Sequence, residues 1–169
     1  PNLNPQTSTP KPQPRALGAL LFADALADML RGLGIGAKVL AVVDAGDEVI
    51  IPTPYWVTYS EIVKLAGGVP VLVKTKIENG FKIIPEELEA NISSRTKLFM
   101  FSSPCNPTGA VYSEKELLQL AEIFEKYPSI FIMSDEIYEF INYIGNHFSI
   151  AQIPSLKNRT IVINGLSKG

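Results

Sequence analysis

The feature that most constrains the fold is a series of short apolar runs that do not alternate with polar residues. Val49-Ile50-Ile51, Val69 to Val73, Lys97 to Phe101, Ile130 to Met133 and Ile161 to Ile163 are rich in β-branched and aromatic side chains and read as strands. A strand wetted on one face alternates, whereas a strand apolar throughout is covered on both. Helical patterns lie between the runs: residues 57–66, with Ile62, Leu65 and Ala66 inward, and a start at Pro85-Glu86-Glu87. A further helix is opened by a capping box of Ser113 and Glu116 and lined by Leu117, Ala121 and Phe124 up to about Lys126. Strands separated by helices predict an α/β fold: a mostly parallel sheet flanked by helices on both faces, with right-handed crossovers.

Glycine and proline set the boundaries. Gly46-Asp47-Glu48 is a turn into the first strand, Pro52 and Pro54 stop that strand, and Gly67-Gly68 ends the helix after it. Upstream, residues 1–15 hold Pro1, Pro5, Pro10, Pro12 and Pro14 and read as an extended arm or linker. Residues 16–45 form a second, helical region, in which Leu17, Leu20, Leu21, Ala25 and Met29 recur at helical spacing. Gly32, Gly34 and Gly36 interrupt it, and residues 37–43 fit a helix or a strand. Residues 46–169 form the α/β part.

Composition removes several classes of function. With 46% apolar residues the chain is globular, and a net charge of −2 from 15 basic and 17 acidic residues points to neither nucleic acid nor an anionic membrane. No segment reaches the roughly 18 apolar residues of a membrane span, and no signal peptide opens the chain, so a cytoplasmic protein is expected. Cys105 and His147 are single representatives of their types, which excludes an internal disulfide and a Cys/His zinc site, and no metal is expected. Cys105 reads as a small residue in a crowded loop, because a cysteine nucleophile needs a base and His147 lies in a polar loop of its own.

Three of the apolar runs end in polar groups able to do chemistry: Ser102-Ser103-Pro104-Cys105-Asn106-Pro107-Thr108-Gly109, Ser134-Asp135-Glu136-Ile137-Tyr138-Glu139 and Asn164-Gly165-Leu166-Ser167-Lys168-Gly169. Ligands of open parallel sheets sit beyond the carboxyl ends of the strands, so one cleft can collect all three. A carboxylate at the edge of a core needs a charged or donating partner. Asp135 is therefore either a turn cap or the counter-ion of a protonated heteroaromatic nitrogen, the partner that pyridoxal phosphate requires. Tyr138 shares a face with Asp135 if a helical turn starts there, and its hydroxyl and the Asn106 amide could donate to one ring oxygen; alone, each is an ordinary polar loop group. Lys168 is either a solvated lysine or an amine nucleophile, and Trp56 either a core residue or a ring-stacking one. The only glycine cluster suited to a phosphate, Gly32 to Lys38, has no strand before it, so a dinucleotide-binding fingerprint is unsupported.

Together these residues resemble the class I pyridoxal-phosphate aminotransferases, most of all their bacterial aspartate aminotransferase branch. The resemblance rests on four ordered stretches within residues 46–168: Gly46 to Trp56, Ser103 to Gly109, Ser134 to Tyr138 and Asn164 to Lys168. It implies a partial large domain of the fold-type-I fold and transfer of an amino group from an amino acid, with aspartate expected, to a 2-oxo acid. It implies that Lys168 bonds to the cofactor and shuttles the substrate proton. Asp135 faces the pyridine nitrogen, Asn106 and Tyr138 donate to the phenolic oxygen, Trp56 stacks on the ring, and Asn106 and Trp56 border the substrate. The Asn106-Pro107 bond is often cis in this family. Gly36, in Gly36-Ala37-Lys38, echoes the family's phosphate-binding turn.

The departures carry expectations of their own. The family's chains run to roughly twice this length or more, and the arginines that bind the cofactor phosphate and the substrate carboxylate normally follow the lysine. Residues 1–36 diverge from the family pattern. The chain is therefore expected to be a fragment with little transaminase activity, from a parent that is a homodimer. The competing readings are a non-catalytic cofactor-binding or structural remnant and another fold-type-I activity, such as aromatic or kynurenine transamination.

Overall fold

The computed structural model describes residues 34–165 and Lys168. The proline-rich arm and the helical pattern over 16–31 lie outside the described residues. The described chain begins in a helix, α1 (34–42), which settles the segment left open between helix and strand. Ile35, Val39 and Val43, at 0–4% exposure, stand four residues apart and form one buried face. The helix includes Gly36. A mid-helix glycine costs about 1 kcal/mol relative to alanine, and burial of this apolar stripe outweighs it.

Five strands follow: β1 (Glu48–Thr53), β2 (Val69–Lys74), β3 (Thr96–Ser102), β4 (Phe131–Asp135) and β5 (Thr160–Ile163). All pair parallel, in the order β2-β1-β3-β4-β5. Between them lie α2 (Thr58–Leu65), α3 (Pro85–Ala90) and α4 (Glu114–Lys126). The apolar runs are explained by two cores, one on each face of the sheet. Val49, Ile51, Leu98 and Met100 point to the core that α1 and α2 cover, with Ile35, Val39, Tyr59 and Val63. Ile50, Phe99 and Phe101 point to the other, with Leu88 of α3 and Leu117, Leu120 and Phe124 of α4. Each strand still has a period of two, but both sets of side chains are buried, so no polar alternation is visible.

Two boundary expectations change. β1 continues through Pro52, which pairs with Val73 on one side; the pairing of β1 with β3 covers only Glu48–Ile50, so the missing N–H of Pro52 breaks no ladder there. Leu65, expected inward, is 76% exposed, and α2 buries Tyr59, Ser60, Ile62 and Val63 instead. The stripe centres on Tyr59 and Val63, and Leu65 falls off it. The turn after α2 is tight. Gly67 has φ +81°, and a Cβ on Gly68 would lie 2.6 Å from Val43 Cγ1, so only glycine lets α1 and α2 meet there.

The expected capping box opens α4. Glu116 N donates to Ser113 Oγ at 3.3 Å, and Ser113 N donates to Glu116 Oε2 at 2.8 Å. At the other end, Arg159 donates to the carbonyls of Phe124, Tyr127 and Ile130 at 2.8–3.0 Å, placing a cation at the negative end of the helix. No helix among the described residues is long and apolar enough to cross a membrane.

Candidate active site

The chain goes from β1 outward to β2, then returns past β1 to build β3, β4 and β5 in the other direction. The order reverses between β1 and β3. In an open parallel sheet this is the crevice where a ligand is accommodated, outside the carboxyl ends of the strands. Those ends carry Trp56 after β1, Asn106 after β3, Asp135 at the end of β4, and Lys168 beyond β5.

Asp135 is 2% exposed and is the final residue of β4, in register with Ser102 and Ile163. Its Oδ2 accepts a hydrogen bond of 2.6 Å from the Tyr59 hydroxyl, and its Oδ1 accepts one of 3.3 Å from Ile137 N. Tyr59 itself is 2% exposed and meets the Trp56 ring edge to face at 5.7 Å. Trp56 is half-buried and packs on the core beneath α2.

Asn106 sits in a loop closed on itself by Cys105 N to Ala110 O (2.9 Å) and Gly109 N to Cys105 O (2.7 Å). The Ser103-Pro104 and Asn106-Pro107 bonds are both cis. The loop is anchored from below, where Tyr112 N donates to Ser103 Oγ and Ile83 N donates to the Tyr112 hydroxyl, each at 3.0 Å. Burial pushes that phenol well above its usual range, so it stays protonated and structural. Asn106 and Tyr138 line one cavity of about 430 Å³ with Cys105, Gly109, Ile141 and Tyr143. Tyr138 does not stand one helical turn beyond Asp135; it caps a short 3₁₀ turn, Glu139–Ile141.

The turn carrying Tyr138 is pinned at its root. Glu136 is 3% exposed, and its N–H donates to Ile163 O at 2.8 Å. Its carboxylate accepts from Ser149 Oγ at 2.7 Å and from His147 Nε2–H at 2.9 Å. His147 is thus not isolated in a polar loop, since it closes residues 137–149 back onto the end of β4. Glu139 adds a bond of 2.7 Å from Asn164 Nδ2, and Gly165 lies so close to Ile137 that a Cβ would sit 3.3 Å from its Cδ1. These contacts seat the start of the loop leading to Lys168 against the Asp135–Tyr138 turn. Ligand atoms of Glu136, Glu139 and His147 come within 4.8 Å of one another, and each of these side chains also takes part in a hydrogen bond.

The structure therefore brings Asn106 and Tyr138 to one cavity, and Asp135 to Trp56 through Tyr59. Lys168 is half-buried beyond the strand next to Asp135. Gly36 lies within α1 and not in a turn, with open space where a Cβ would stand. Sequence reasoning missed Tyr59, Glu136 and Ser149. For Tyr59 a signal exists, since Trp56 and Tyr59 are three residues apart at a helix start and share a face.

The carboxyl ends of the parallel strands thus carry a buried carboxylate, an amide, a phenol and an amine. The profile of the family described as aminotransferase class I and II matches residues 31–169, and the chain belongs to that family. It is 51% identical over 144 residues to the aspartate/prephenate aminotransferase of Cereibacter sphaeroides, covering 80% of this chain and 36% of that protein. It is 54% identical over 129 residues to the aspartate aminotransferase of Geobacillus stearothermophilus, covering 75% and 33%. Among solved structures, the aspartate aminotransferase of Rhizobium meliloti superposes with a TM-score of 0.77 at 44% identity, over 82% of this chain and 35% of that one. An aromatic aminotransferase of Pyrococcus horikoshii gives 0.77 at 39% identity, over 82% and 37%. The sheet is that of the fold-type-I transferases, and the chain spans about a third of the length of these relatives.

Proposed function

We propose that the protein to which this chain belongs transfers an amino group from an amino acid to a 2-oxo acid with pyridoxal phosphate, and that these residues form part of its cofactor site. The observation that carries this is the Asp135 carboxylate, buried at the carboxyl end of β4 and supplied with hydrogen-bond donors. A carboxylate kept ionised in such a place suits a protonated pyridine nitrogen. The rest of the donor set fits the same group: Asn106 and Tyr138 for the phenolic oxygen, Trp56 for a ring face, and Lys168 as the amine that holds the aldehyde carbon.

When bound, pyridoxal phosphate supplies an electron sink for the α-carbon of the amino acid. The chain's own residues would do the remaining work. Asp135 would hold the proton on the ring nitrogen, and Asn106 and Tyr138 would orient the ring by donating from one side. Lys168 Nζ would take the proton from the α-carbon and pass it to the cofactor. Trp56 would exclude water from one face and, with Asn106, border the substrate. Aspartate as donor is supported by the relatives named for aspartate and prephenate. Aromatic amino acids are the second reading, favoured by the likeness to the Pyrococcus horikoshii structure. A homodimer and a cytoplasmic location belong to the same proposal.

Titration of the purified chain with pyridoxal phosphate, followed by visible absorbance, tests the reading. A saturable band is expected, lost in Lys168→Ala and weakened in Asp135→Asn. An unsaturable response that neither variant alters would overturn it.

A further inference from the structure

Tyr59 belongs to none of the strand-end loops, yet it makes the shortest of the hydrogen bonds described here to Asp135. Its ring is buried beneath α2 with 2% exposure, and its hydroxyl reaches across the sheet end, 76 residues along the chain, to Asp135 Oδ2 at 2.6 Å. A carboxylate only accepts, so the phenol donates, and this separation falls in the range of a charge-assisted O–H···O⁻ bond. The other bond described, from Ile137 N to Oδ1, is longer at 3.3 Å. Burial alone drives a carboxyl toward its neutral form, and a strong donor opposes that.

We propose that Tyr59 is a positioning residue for Asp135: its hydroxyl fixes the rotation of the carboxylate and holds it ionised, ready to keep a ring nitrogen protonated. The inference rests on the reading of Asp135 as the partner of that nitrogen. Trp56, one turn earlier and edge-on to the Tyr59 ring at 5.7 Å, links the same tyrosine to the proposed stacking residue. The entry into α2 and its first turn thus carry both the proposed stacking residue and the donor to Asp135. A phenylalanine would fill the same space, so packing does not account for the hydroxyl.

The test uses the full chain labelled with ¹³C in its aspartate carboxyl groups, free of cofactor, with the Asp135 signal assigned by its loss in Asp135→Asn. In Tyr59→Phe the proton affinity of Asp135 should rise about tenfold, from the loss of one hydrogen bond to a charged acceptor. With 3-fluorotyrosine at position 59, a more acidic donor, it should fall. Glu136 with His147, Tyr138 and Lys168 are common to all these proteins and cancel in the comparison. An Asp135 titration unchanged by both substitutions would overturn the proposal. If Tyr59→Phe does not fold, the fluorinated chain, which differs by one atom, decides alone. A second arm adds ¹⁵N-labelled pyridoxal phosphate. The ring-nitrogen signal should move toward its unprotonated position in Tyr59→Phe, and a signal unmoved in the bound variant would also overturn the proposal. If the unsubstituted chain takes up no pyridoxal phosphate, the cofactor reading fails, while the carboxyl titration still decides whether Tyr59 holds Asp135 ionised.

Discussion

Removing the Glu136 carboxylate should loosen the turn that presents Tyr138. Glu136 is 3% exposed and accepts from Ser149 Oγ at 2.7 Å and from His147 Nε2 at 2.9 Å. Hydrogen bonds to a charged group each contribute a net 1.5–3 kcal/mol or so, and a donor left unpaired inside costs about 1–3 kcal/mol. Against this stands relief from keeping a carboxylate out of water, which is several kcal/mol before relaxation. Water entering beside the partly exposed His147 softens the loss further. We expect Glu136→Ala to destabilise the chain by about 2–4 kcal/mol, and Glu136→Gln, which keeps the volume and one acceptor, by about 1–2 kcal/mol. Urea unfolding should show the midpoint falling in the order wild type, Gln, Ala at constant slope. Hydrogen exchange should rise over residues 137–149 before it rises elsewhere. An alanine variant within about 0.5 kcal/mol of wild type, with exchange over 137–149 unchanged, would refute the view that Glu136 pins this segment.

Other substitutions test the frame around the site. Ser113→Ala removes the cap of α4 and should cost about 1 kcal/mol in urea unfolding. Phe124→Ala empties a fully buried position 5.3 Å from the Phe99 ring and should cost about 3–5 kcal/mol, enough to abolish a cooperative thermal transition in a marginal chain. Glu48 titrates below its usual range because the Ser93 hydroxyl donates to it at 2.5 Å and the Arg95 guanidinium donates to and sits beside it. A depressed carboxyl stabilises the fold above its unfolded value and loses that contribution as pH falls through the folded one. The stability gap between wild type and Glu48→Gln should therefore be open at neutral pH and close in acid; a gap independent of pH would contradict the assignment.

Much of the frame was legible because it depends on local chemistry. The strands announced themselves as apolar runs, since both faces of the sheet are covered, and the Ser113–Glu116 box marked α4 without tertiary information. What was illegible depends on packing between distant segments. Residues 37–42 take their helical state from the face Ile35, Val39 and Val43 bury, against the propensity of Gly36. Leu65 is exposed although its spacing fits the buried face, because an apolar residue near the edge of a stripe can fall to either side. Pro52 looks like a stop in the sequence because the one-sided pairing of β1 at that point cannot be seen along the chain. The loops holding Asn106, Asp135 and Tyr138 were found from their chemistry, but the bond from Tyr59 to Asp135 spans 76 residues and the bonds from His147 and Ser149 to Glu136 close a long loop. Nothing local encodes such pairs.

The measurement closest to the central claim is borohydride reduction of the chain saturated with pyridoxal phosphate, followed by peptide mass mapping. One reduced adduct is expected, on Lys168, because that residue follows β5, the strand paired with β4 and its terminal Asp135. Label spread over several surface lysines, with no preference for Lys168, would contradict it.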